Sequence, residues 1–197
     1  MIIFERGKSM SYGITREKAL ELLNTYIKNQ NLIKHSLASE AVMISLAEKS
    51  GEDKELWGLA GLLHDIDVEL TNADLKIHGL ESEKILINYN VDPVIIDAIK
   101  RHNEFSHNLK RETNLHFALA ACETITGLII ATALVYPDKK LASVKPKSIV
   151  KRMKEKAFAA SVNRETILEC EKIGMNINEF AELALDAMQK ISAELGL

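Results

Sequence analysis

This 197-residue chain is poor in residues that break regular structure or build disulfide frameworks. It has three prolines, nine glycines, two cysteines and only 5% aromatic residues. So few turn-formers argue against a β-rich fold with many tight turns and favour helices. Two cysteines, Cys122 and Cys170, exclude both a disulfide scaffold and a zinc finger, and fit a reducing, cytoplasmic setting. There is no strong charge of either sign. A formal net charge of −3 gives no global reason to expect nucleic acid or an anionic membrane as partner. The opening "MIIFERGKSMSYGI" lacks the apolar run of a signal peptide, and Met10 is an alternative start.

Long apolar runs are missing too, with one exception. Phe117 to Tyr136 holds a single charge, Glu123, over 20 residues. That approaches membrane-spanning length, but its threonines and glutamate fit a central helix buried on all sides better. What is present is 47% hydrophobic and 27% charged residues in helical periodicity almost throughout. This predicts an all-α domain.

Thr15 is a candidate N-cap for a first helix, followed by helices over about 32–49 and 53–64. A fourth is expected from the loop at 71–74 to about Tyr89, with His78 near its start. Asp92 and Pro93 mark the cap and first position of a fifth, ending near His102. The sixth is the apolar helix from about Asn114 to Val135. A basic linking stretch follows, then helices after Asn163 and Asn178. The organisation expected is an N-terminal tail (1–14), a helical core (15–136) and a C-terminal helical extension packed on it (137–197).

Four of six histidines lie on or beside apolar helix stripes: His35, His64, His78 and His102. One such histidine is ordinarily a hydrogen-bonded core residue. Four are costly to bury unless something uses their lone pairs, and a divalent transition metal does. Asp65 adjoins His64 and has two oxygens with which to bridge two metals. Glu123 is a lone carboxylate in a helix otherwise fit for burial, which coordination would satisfy. His107 and His116 are expected to be solvated surface histidines. Asp67 and Glu69 read as a solvated loop, with a role in orienting a ligand or assisting proton transfer as the alternative.

The ordered set His35, "HD" at 64–65, His78, His102 and acidic Glu123 on successive helices resembles the HD-domain metal-dependent phosphohydrolase superfamily, over about residues 15–135. Within it, "HDIDVE" and the stretch from Gly127 to Glu165 resemble a subgroup of small bacterial and archaeal HD proteins labelled only as predicted hydrolases. The resemblance implies a metal held by His35, His64, Asp65 and Glu123, and a second held by His78 and His102 with Asp65 bridging. The ions would be one or two of Fe, Mn, Zn, Ni or Co, with His64 and Asp65 at the centre of catalysis.

The chain departs from the pattern in three places. Glu123 replaces the usual Asp, Asn103 follows His102 where some two-metal members have a second His, and Val68 replaces the Lys of the "HDIGK" type. The last two disfavour cyclic-dinucleotide hydrolysis of the HD-GYP kind.

The expected function is hydrolysis of a nucleotide or other small phosphorylated compound by metal-activated water. Residues 138–156 carry eight basic residues against two acidic ones. A solvated face is the ordinary meaning of such a run, yet Lys147, Lys151 and Arg152 are candidates to receive phosphate. Expected partners are the small phosphorylated substrate, no membrane and no clear nucleic acid, with a homodimer left open. A di-iron oxygenase, a non-catalytic metal or nucleotide sensor, and a helical interaction module are the alternatives.

Overall fold

A computed structural model describes residues 12–197, apart from the side chain of His107. The tail expected over 1–14 and the alternative start at Met10 therefore lie mostly outside the described residues. Those residues form helices, turns and short 3₁₀ segments with no strand among them, as the helical periodicity predicts.

Helix α1 (Arg16–Tyr26) starts where Thr15 Oγ1 accepts the Lys18 N–H. The long helix α2 (Gln30–Ser50) is capped by Asn29 and stops at Gly51, whose φ of 73° is the left-handed conformation that ends helices. Asp53 accepts two N–H groups to cap α3 (Lys54–Leu63). Helices α2 and α3 pack backbone to backbone at Gly61, where an added Cβ would lie 2.9 Å from the Ser39 carbonyl oxygen. This approach brings His35 and His64 to one level.

Residues 64–79 are successive turns, so His78 precedes α4 (Leu80–Asn88) instead of opening it. The difference has a local cause. Asp67 accepts the Gly79 and Ser82 N–H groups at 2.7 and 3.0 Å, which fixes the start of α4 at Leu80. Helix α5 (Pro93–His102) begins with Asp92 and Pro93 as expected, and a short α6 spans Glu104–His107.

Helix α7 (Asn114–Leu134) is long and apolar enough to cross a membrane by length and composition. In the fold it runs through the core, packed against α2, α3 and α5 and against the C-terminal helices. The basic stretch contains α8 (Pro146–Met153). Asn163 caps α9 (Arg164–Ile167), which runs into a 3₁₀ segment over Leu168–Ile173. The cap of α10 (Ile177–Lys190) is Asn176, two residues before the asparagine expected, and α11 (Ser192–Leu195) follows. Helix α10 packs on α2 and α7, so the C-terminal helices cover the histidine-bearing bundle.

Candidate metal centre

His35 lies on the first half of α2, His64 follows α3, His78 sits in the turns before α4, and His102 ends α5. They converge as two pairs. His35 Nε2 is 3.1 Å from His64 Nε2, and His78 Nε2 is 3.0 Å from His102 Nε2. Asp65 sits among them: its Oδ1 is 3.1, 3.4 and 3.5 Å from the Nε2 atoms of His78, His64 and His102, and its Oδ2 is 3.7 Å from that of His35.

The other ring nitrogens fix the tautomers. His64 Nδ1 donates to the Gly61 carbonyl at 2.8 Å, and His78 Nδ1 donates to Asp67 Oδ1 at 2.7 Å. His102 Nδ1 donates to the Ile99 carbonyl. Thr126 spends its own hydrogen on the Glu123 carbonyl at 2.7 Å, so it accepts from His35 Nδ1 at 3.0 Å. With every Nδ1 protonated, neutral rings present unprotonated Nε2 atoms to one another. Two lone pairs at about 3 Å repel unless a proton or a metal cation lies between them.

The electrostatics of the metal-free cluster agree. Burial, with His64 beside it, lowers the His35 pKa. Burial also works against a charged His64, but the Asp65 carboxylate outweighs it and the pKa rises. For His78, burial is likewise outweighed by Asp65 and Asp67, and the pKa is pushed up to about 10. Burial opposes the Asp65 charge, yet His64, His102 and His78 hold its pKa well below the ordinary carboxylate range. Without metal, each histidine pair therefore contains one imidazole that favours a proton.

The donor set fits two ions. His35, His64 and Glu123 offer ligand atoms within 4.8 Å of one another, as do Asp65, His78 and His102. Imidazole with carboxylate suits Zn, Fe, Mn, Ni or Co. Glu123, one methylene longer than aspartate, brings Oε2 to 3.9 Å from His35 Nε2.

All six expected metal residues thus share one place, and Asp65, His35, His78, His102 and Glu123 line a cavity of about 400 Å³. Leu75, Phe105, Ser161, Asn163 and Thr166 line other parts of it. Lys147, Lys151 and Arg152 do not. Lys151 is exposed, while Arg152 pairs with Glu155 and lies over the Phe158 ring. Arg111 lines the cavity but is already engaged by Glu169, Glu104 and two backbone carbonyls.

Three readings of the sequence are corrected. Asp67 is completely buried, and it fixes the His78 ring and the turn below it. The turns that follow α3 place it there, and only the alternation of acids in "HDIDVE" hints at it. Glu69 accepts the Lys28 and Asn29 N–H groups at the start of α2. His116 is buried: its Nδ1 accepts the Glu112 and Thr113 N–H groups, and its Nε2 donates to Asp97 at 3.1 Å. The side chain of His107, the other histidine expected at the surface, is outside the described residues.

Sequence reasoning gave Asn103 only as a departure. It is buried and donates to the Leu75 and His78 carbonyls at 2.7 and 2.9 Å, tying the turns to the end of α5.

The chain is similar to Ribonuclease Y of Opitutus terrae, 24% identical over 171 residues that make up 85% of this chain and 32% of that protein. It is similar to Ribonuclease Y of Bacillus subtilis, 29% identical over 174 residues, 84% of this chain and 32% of that protein. Ribonuclease Y of Mycoplasma mycoides subsp. mycoides is 30% identical over 98 residues, 50% of this chain and 19% of that protein. The chain thus spans at most about a third of the length of these curated relatives. No solved structure gives a significant match. The HD domain model matches residues 32–133, just over half of the chain and the segment that carries all six converging residues. The chain belongs to the HD-domain family.

Proposed function

We propose that this protein is a metal-dependent phosphohydrolase acting on a nucleotide or other small phosphorylated compound. The observation that carries the reading is the convergence of four imidazole Nε2 atoms on the Asp65 carboxylate beside a cavity. A metal held by these residues would supply water with a pKa lowered toward about 7 and a Lewis acid for a phosphoryl oxygen.

In this reading His35, His64 and Glu123 would hold one ion, and Asp65, His78 and His102 a second. Asp67 and Thr126 keep His78 and His35 in the tautomer that leaves Nε2 free. Ser161, Asn163 and Thr166 line the cavity away from the histidines and would meet the rest of the substrate. Those residues belong to the C-terminal extension, which makes 15–136 the metal-binding core and 137–197 a contributor to the substrate side. The likeness of the 127–165 stretch to small uncharacterised HD hydrolases supports that division.

The test is hydrolysis across a panel of phosphate esters by metal-loaded protein. Activity abolished in His64→Ala and Asp65→Ala, with helical content retained, supports the proposal. A metal-loaded protein that cleaves no ester sinks it. Two bound irons with a mixed-valence signal and no hydrolysis would favour the oxygenase alternative.

A longer phosphodiester such as RNA is a second reading, favoured by the name of the relatives and by the basic 138–156 stretch. Under it, neutralising Lys147, Lys151 and Arg152 weakens cleavage of an oligoribonucleotide and leaves a mononucleotide unaffected. Equal effects on both would refute it.

A further inference from the structure

We infer that Arg111 and Glu169 form a positioning pair through which the C-terminal segment sets the orientation of His102 in the metal centre. The inference rests on the metal-centre reading above and concerns residues outside the ligand set.

Arg111 has five N–H donors in a fixed fork. Nε and Nη2 meet the Glu169 carboxylate at 2.7 and 2.9 Å. Nη2 also lies 3.2 Å from Glu104 Oε2. Both remaining donors, on Nη1, go to the carbonyls of Arg101 and His102 at 3.1 Å. These are the last carbonyls of α5, which have no partner within the helix. A guanidinium here supplies both hydrogen bonds and a positive charge at the negative end of the helix.

His102 is the last residue of α5, and its Nδ1 donates to Ile99 within the final turn. Its ring therefore follows that turn, and its Nε2 must meet His78 and Asp65 at 3.0 and 3.5 Å. Anything that tilts the turn moves the ligand atom. Arg111 holds the turn in place, and Glu169 holds Arg111.

Glu169 comes from the 3₁₀ segment packed on α7, 58 residues further along the chain. It lies beyond the 32–133 segment that matches the family model. Both side chains are largely buried, 6% and 16% exposed, so the pair is shielded from salt. Removing one partner leaves a buried charge that must shift or recruit another group. Glu104, the other carboxylate on Arg111, is 49% exposed and contributes less.

The test measures metal affinity by chelator competition in the full chain, with Mn or Zn as probe. Outer partners of ligands tune affinity about 10- to 100-fold. Glu169 acts through Arg111 on the backbone of His102, so Glu169→Gln is expected to weaken the ion held by Asp65, His78 and His102 by about 10-fold, the lower end of that range. The ion held by His35, His64 and Glu123 should change less than about twofold, as should both ions in Glu104→Gln. Arg16→Gln, which breaks the similarly short Arg16–Glu40 pair outside the ligand set, controls for general loss of stability in the His78–His102 ion.

If Glu169→Gln does not fold by circular dichroism, Glu169→Asp gives the same test with the charge kept and the reach shortened. Unchanged affinity, equal weakening of both ions, or the same weakening in Arg16→Gln overturns the inference and leaves the proposed function standing. A wild-type chain that takes up no metal overturns both.

Discussion

Replacing Asp67 with asparagine tests the tautomer argument at the lowest steric cost. The Asp67 carboxylate accepts from His78 Nδ1 on one oxygen and from the Gly79 and Ser82 N–H groups on the other. An amide can keep an acceptor on one side only. With its NH₂ facing the two backbone donors, it would orphan both, at about 1–3 kcal/mol each. With its NH₂ facing His78, the ring has to give up its Nδ1 proton and carry its single proton on Nε2. That tautomer is intrinsically accessible, and its Nε2–H can donate to His102 Nε2, 3.0 Å away.

The second orientation wins on energy, and it blocks the lone pair that would bind metal. D67N should therefore lose little stability, about 1–3 kcal/mol from the weakened charge-assisted bonds. At this chain length that is about 2–4 °C in Tm per kcal/mol. Its affinity for the ion at the His78 position should fall by about 100-fold, the upper end for outer-shell changes, because the ligand atom itself is protonated. Urea melts and chelator competition read the two quantities separately. A D67N protein that binds both ions as wild type does, with the same small stability loss, refutes the tautomer assignment.

Four further outcomes follow from the same geometry. Gly61→Ala forces a Cβ to within 2.9 Å of the Ser39 carbonyl, so α2 and α3 must separate and both affinity and Tm fall. Gly127→Ala meets only Val162 at 3.5 Å and should be neutral or stabilising by about 0.5–1 kcal/mol in urea melts. Thr126→Val removes the acceptor of the His35 Nδ1 proton and should weaken the His35–His64–Glu123 ion about tenfold in a chelator titration, leaving the other ion unaffected. Finally, His78 has a pKa raised to about 10 in the metal-free fold. Its contribution to stability is complete below the unfolded value near 6.5 and is lost as pH rises through about 10. Metal-free protein should thus lose up to about 1.4 kcal/mol per pH unit across that window in urea melts, a slope that metal saturation or His78→Ala removes.

Much of this was legible in the residues, because helix starts are written locally. Thr15, Asp92–Pro93 and Asn163 each bond the backbone within three residues, and the structure uses all three as caps. The convergence of the four histidines was legible for a different reason. Imidazoles on apolar stripes are expensive, so four of them state a shared need that no single one does.

What could not be read was the path of 64–79. The Asp67 contacts at Gly79 and Ser82 span 12 and 15 residues, and periodicity carries no signal for a turn held that way. The burial of His116 is hidden in the same way, since its partners are loop N–H groups and an aspartate on α5. The pairing of Arg111 with Glu169 spans 58 residues and looks in the sequence like two ordinary surface charges.

The central claim is that the paired Nε2 atoms around Asp65 exist to hold metal. Anomalous diffraction at the metal edge, on crystals of protein loaded with Mn or Zn, tests it most directly. Two peaks are expected, one among His35, His64 and Glu123 and one among His78, His102 and Asp65. Loaded protein with no peak at either place, and the histidine pairs still about 3 Å apart, would contradict it.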